Sequence, residues 1–183
     1  MNISELTAVM HNWAGVQIIE DFDEVYQGIV GRAECYVGLR IEYWEEMYYL
    51  AMVVTLRKPA GSTTRVIKWP YSRMSAHDIQ DVIDDFETLW EIPASVRQQD
   101  TRGWFGRMID SVTGVTHLGE YKIASRLTNQ ATNVDVRLVQ VNQQTQVWFS
   151  EYRQAGVVTI AQIPHEACPV IGKVLAQYRH EAR

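Results

Sequence analysis

The residues with the best claim to covalent chemistry are His165, Glu166 and Cys168. They stand together at the start of a helix-like run, where the positive end of the helix and its free amides would favour a thiolate. On that reading Cys168 is a nucleophile and the chain a cysteine-dependent enzyme. Pro169 weighs against it by removing an amide donor, and a single cysteine beside an apolar stripe is most often a packing residue. His117, Glu120 and Tyr121 form a second group that a strand end could gather, although solvated surface polarity is the plainer explanation. The glycine-rich nucleotide loops, the H-E-x-x-H and paired C-x-x-C metal signatures and the G-x-S-x-G elbow are all missing. We therefore expect no cofactor, no metal and no catalytic residue.

Binding chemistry is better represented. The stretch SAHDIQDVIDDFETLW, residues 75–90, predicts an amphipathic helix with Ser75 as N-cap. Ile79, Val82, Ile83, Phe86, Leu89 and Trp90 form its apolar stripe. Its other face carries Asp78, Asp81, Asp84, Asp85 and Glu87, with Glu91 next, and no lysine or arginine offsets them. Such a face is either plainly solvated or an electrostatic dock for a basic partner, including one that grips nucleic acid. RQQDTRGWFGRM, residues 97–108, mixes Arg97, Arg102 and Arg107 with Trp104 and Phe105. These types dominate interface hot spots, and they also suit stacking on bases with phosphate contacts. The competing reading is that the two rings plug a seam between half-domains. The run from Tyr43 to Tyr49 could make an aromatic platform on a sheet, but Glu45 and Glu46 there would repel phosphate.

The elements that must position these residues repeat. Strands are predicted at CYVGLRIEYW, YLAMVVTLR and TTRVIKW, and again at VDVRLVQV, QVWFSEYR and VVTIAQI. GIVGRAE and GEYKIASRL add one weaker strand to each half. The last two strands of each half join through a turn containing Ala-Gly, and each final strand ends at a proline, Pro70 or Pro164. LRIE at 39–42 and VRLV at 136–139 correspond. Further helices are predicted at 4–13, at 104–112 (Phe105, Met108, Ile109, Val112) and over the closing segment (Ala167, Val170, Ile171, Val174, Leu175, Tyr178).

The expected fold is α+β: two pseudo-repeated antiparallel sheet-then-helix units, an N-terminal helix and a helical linker between halves. Residues 1–93 form an acidic half of net charge −8, 94–113 the linker and 114–183 a basic half, the last two together of net +3, all parts of one compact unit in a chain of 183 residues. In element order the chain resembles the Whirly type of single-stranded-DNA-binding fold, and also secretion-chaperone folds; neither likeness assigns a function. With two distant cysteines, no leader-like start and no apolar run of about 20 residues, a cytoplasmic protein is expected. The reading is a non-enzymatic protein-binding module, an adaptor, chaperone or inhibitor of the kind mobile elements also encode. Its expected contacts are Asp78, Asp81, Asp84, Asp85, Arg102, Trp104, Phe105 and Arg107, and it could pair as a homodimer. A single-stranded nucleic-acid binder is the alternative.

Overall fold

Two-residue turns with both central residues at positive φ join the second and third strands of each half. They are Glu45 and Glu46 (φ 46° and 64°) in one half, and Asn142 and Gln143 (48° and 67°) in the other. Turns of this hand match strand twist and hold a hairpin in register. The computed structural model describes residues 15–71, 84, 104–123, 126–127, 134–153 and 156–181. In chain order their elements are β1 (Gln17–Val30), β2 (Ala33–Trp44), β3 (Met47–Lys58), β4 (Gly61–Tyr71), α1 (Trp104–Thr113), β5 (Val115–Ile123), β6 (Arg126–Leu127), β7 (Val134–Val141), β8 (Gln144–Arg153), β9 (Gly156–Pro164) and α2 (Ala167–Glu181).

The architecture is α+β with two antiparallel sheets, ordered β1-β2-β3-β4-β6 and β5-β7-β8-β9. The first is followed by a helical segment of which Asp84 is described, the second by α2, and α1 links the halves. The expected helix at 4–13 and the rest of the acidic helix lie outside the described residues. Gly61, at φ 141°, pairs with Lys58 to close the β3–β4 turn, and Gly156 pairs with Arg153 at the matching place in the second half.

The repeat extends into the core. Leu39, Ile41, Leu50, Met52, Ile67 and Trp69 fill inward positions of the first sheet. Val136, Leu138, Val147, Phe149, Ala161 and Ile163 hold the matching positions of the second. All twelve belong to one buried cluster, which Ala167, Cys168, Ile171 and Leu175 of α2 complete. The two halves therefore share this core. Polar bonds join them as well: Tyr26 of β1 donates to Glu166 at 2.7 Å, and Gln144 donates to the Ile29 carbonyl (2.6 Å) while accepting from Gly31 N–H (2.9 Å). Gly28 is required beneath Tyr26, since a Cβ there would collide with the phenol.

Two strands depart from expectation. The weak strand at GIVGRAE is the β1–β2 turn with its flanks, and β1 itself runs back to Gln17. Glu20, Asp21, Asp23 and Glu24 hid it, because acidic residues are poor strand formers; it lies at a sheet edge and its pairing with β2 is irregular at three places. GEYKIASRL divides into the end of β5 and β6, and β6 pairs with β4 of the other sheet. No local pattern specifies such a crossing.

The glutamates of the β2–β3 turn hold a conformation that costs a residue with a Cβ about 1 kcal/mol. Replacing Glu45-Glu46 by Asn-Gly is expected to raise stability by about that much, read as a higher urea midpoint with an unchanged slope.

Candidate functional site

On the faces turned away from the shared core, the two sheets solve the same electrostatic problem differently. Arg40 on β2 and Arg137 on β7 occupy matching positions, and both are buried. In the first sheet Arg40 shares its face with Glu42 and Lys68. Lys68 Nζ lies 2.7 Å from Glu42 Oε2 and Arg40 Nε 4.0 Å from Oε1. Ala51, opposite both Arg40 and Lys68, leaves space for these side chains. Lys68 also stands over the rings of Trp44 (5.3 Å) and Tyr49 (5.8 Å).

None of these partners recurs in the second sheet. Val139 stands where Glu42 would be, Gln162 where Lys68 would be, and Trp148 in place of Ala51. The counter-charge for Arg137 comes instead from α1, with Nη2 donating to Asp110 Oδ2 at 2.7 Å. Arg137 Nε also donates to His117 Nδ1 at 3.3 Å, and the guanidinium lies 5.9 Å from the Trp148 ring. Trp148 in turn donates to Gln146, and Gln146 to Gln144, which carries the chain of bonds to the β1–β2 turn.

Turning Asp110 inward fixes the rotation of α1. At about 100° per residue, Trp104, Phe105, Met108, Ile109 and Val112 share one stripe, and Asp110 lies nearly opposite its middle. The sequence left the direction of this stripe open, with Trp104 and Phe105 either in contact with a partner or plugging a seam; the stripe is the outer face. The exposures are 69% for Trp104, 58% for Phe105, 45% for Met108, 44% for Ile109 and 81% for Val112. Here the helix turns its one acid, not its apolar stripe, toward the sheet and its buried arginine. Trp104 and Phe105 meet edge to face, 5.9 Å apart. Thr113 Oγ1 donates to the Ile109 carbonyl, and Gly114, at φ 72°, ends the helix.

Of the residues singled out in the sequence, Trp104, Phe105 and Arg107 therefore lie exposed together on α1, and Asp84 is exposed and helical. Asp78, Asp81, Asp85 and Arg102 lie outside the described residues. Met108, Ile109 and Val112 belong to the same face but were not singled out as contacts. The clue was the lone acid opposite the stripe. His117 is half-buried beside Arg137 rather than a plain surface residue. The aromatic run at 43–49 makes no open platform: Tyr49 is buried, Tyr43, Trp44 and Tyr48 are half-buried, and Tyr43 packs on Tyr48 at 4.9 Å.

Cys168 sits in the core. Burial pushes its thiol up to about 12, against a smaller opposing effect from a backbone hydrogen bond, and burial does the same to Cys35. An attacking thiolate is not what this environment favours. Among the described residues no helix is long and apolar enough to cross a membrane. No family model matches the chain, and no curated protein matches it either.

Two predictions follow from these environments. Glu42→Gln removes the anion between two buried cations and is expected to cost about 3–5 kcal/mol, whereas Arg40→Met, which removes the more distant cation, costs little or stabilises; urea titration separates the two. Both thiols are protonated in the fold and ionise in the unfolded chain from about pH 9. Their stabilising effect is full below that pH and is lost as the pH climbs toward 12. At pH 8 a thiol reagent is expected to label neither cysteine of the folded chain and both after denaturation.

Proposed function

We propose that this protein is a non-enzymatic protein-binding module, an adaptor, chaperone or inhibitor, and that the outer face of α1 is its docking surface. The observation that carries this reading is the inverted helix: Asp110 faces inward and Trp104, Phe105, Met108, Ile109 and Val112 face water. A contiguous apolar patch of this kind is the usual mark of an interface, and aromatic side chains supply most of the binding energy at such sites. The acidic run from Asp78 to Glu91 would steer a partner with a basic surface toward the same module. A cytoplasmic setting and two reduced cysteines fit this role.

A nucleic-acid interface is the second reading, favoured by exposed Arg107 beside Trp104 and Phe105. Against it, Arg107 is the only cation of α1, and phosphate binding rests on several.

The test compares the wild type with Trp104→Ala/Phe105→Ala. Both side chains are exposed, so the double variant is expected to fold with an unchanged circular dichroism spectrum. Immobilised side by side, the wild type is expected to retain proteins that the variant loses, and equal retention overturns the reading. Anisotropy of labelled single-stranded oligonucleotides is expected to show no binding even at low salt. Tight, salt-sensitive binding lost in the variant transfers the surface to nucleic acid.

A further inference from the structure

We infer that the occupant of the α1 face is a second copy of this chain, so that the protein forms a two-fold dimer through antiparallel α1 helices. The inference rests on the docking reading above and names the partner. Three observations point to it.

The first is area. The five exposed side chains offer at most roughly 600 Å² per copy, so two copies can hide up to about 1,200 Å², the lower limit for a specific, stable interface. The second is shape. A two-fold axis passing near Met108 sets two helices antiparallel, with Trp104 of each copy opposite Val112 of the other. Large then meets small at both ends, and Met108, the most adaptable of the five, meets itself at the centre. A parallel pairing would crowd indole on indole and leave a gap at Val112. The third is charge. Arg107 and Asp110 are the only charged residues of α1; Asp110 is held against Arg137 and Arg107 flanks the stripe beside Trp104, so none of the five stripe side chains brings a charge to be desolvated when it meets its own copy.

Sedimentation velocity on the full chain tests this across a concentration series at low and high salt. The wild type is expected at twice the 21.1 kDa chain mass, with association unchanged or tightened by salt. Val112→Glu alters the most exposed side chain of the stripe, and is expected to run as a folded monomer. Met108→Cys is expected to give a disulfide-linked dimer under a mild oxidant, whereas the wild type, whose two cysteines are buried, gives none. A wild type that stays monomeric throughout overturns the dimer. If its capture of other proteins still depends on Trp104 and Phe105, the docking surface survives without the second copy. A dimer that persists in Val112→Glu overturns the pairing through α1.

Discussion

Arg137 is a cation on an inner strand of the second sheet, nearly shut off from water, and its need for an anion organises the molecule's outer surface. A buried guanidinium without a counter-charge costs several kcal/mol. At the positions where the first sheet has Glu42, Ala51 and Lys68, the second has Val139, Trp148 and Gln162. Asp110 of α1 meets the need at 2.7 Å. Its position opposite the middle of the apolar stripe leaves α1 one rotation, and that rotation turns Trp104 and Val112 to water. A charge requirement inside the fold thus determines which surface the fold presents outside.

That requirement operates on a frame of two pseudo-repeated units. An antiparallel meander has one apolar face to hide, and here two meanders hide theirs in one cluster. The six matched pairs from Leu39/Val136 to Trp69/Ile163 conserve burial rather than volume: Met52 is matched by Phe149, and Trp69 by Ile163. Shared packing leaves each half free to diverge on its other face. The first half invested that freedom in a compact set of ions and rings around Glu42; the second built a chain of polar bonds from Trp148 to the β1–β2 turn. The link through Gln144 and the bond from Tyr26 to Glu166 tie the two divergent faces to a common orientation.

The strands of the repeat were legible because their residues are β-branched or aromatic and their turns are marked by Ala-Gly and by paired polar residues. Leu39 to Glu42 and Val136 to Val139 could be matched by eye. β1 was not legible, since its acids disguise an edge strand, and β6 could not be, since two residues crossing to another sheet leave no periodic trace. At the candidate site, the residue types in Trp104, Phe105 and Arg107 announced an interface. The periodicity of Met108, Ile109 and Val112 gave the helix but not its direction, because period alone says which residues share a face and not which way the face points. Direction was encoded elsewhere, in Arg137, more than twenty residues along the chain. The acidic run at 78–91, of which Asp84 is described as exposed, contributes charge that sequence alone makes visible.

An outward apolar stripe is a liability that a monomer in water tolerates poorly, because it is a ready nucleus for non-specific association. Two features of this chain restrain that outcome. Its net charge of −5 opposes indiscriminate approach of copies, and the stripe's taper from Trp104 and Phe105 to Val112 fits an antiparallel neighbour far better than a random one. Closure about a two-fold axis consumes the whole stripe and leaves none to propagate. The inward ion pair and the outward stripe are therefore one arrangement: releasing Asp110 would free α1 to roll its apolar side onto the sheet, hiding the surface and stranding Arg137 at once. The helix is held open by the same contact that keeps the sheet's buried charge neutral.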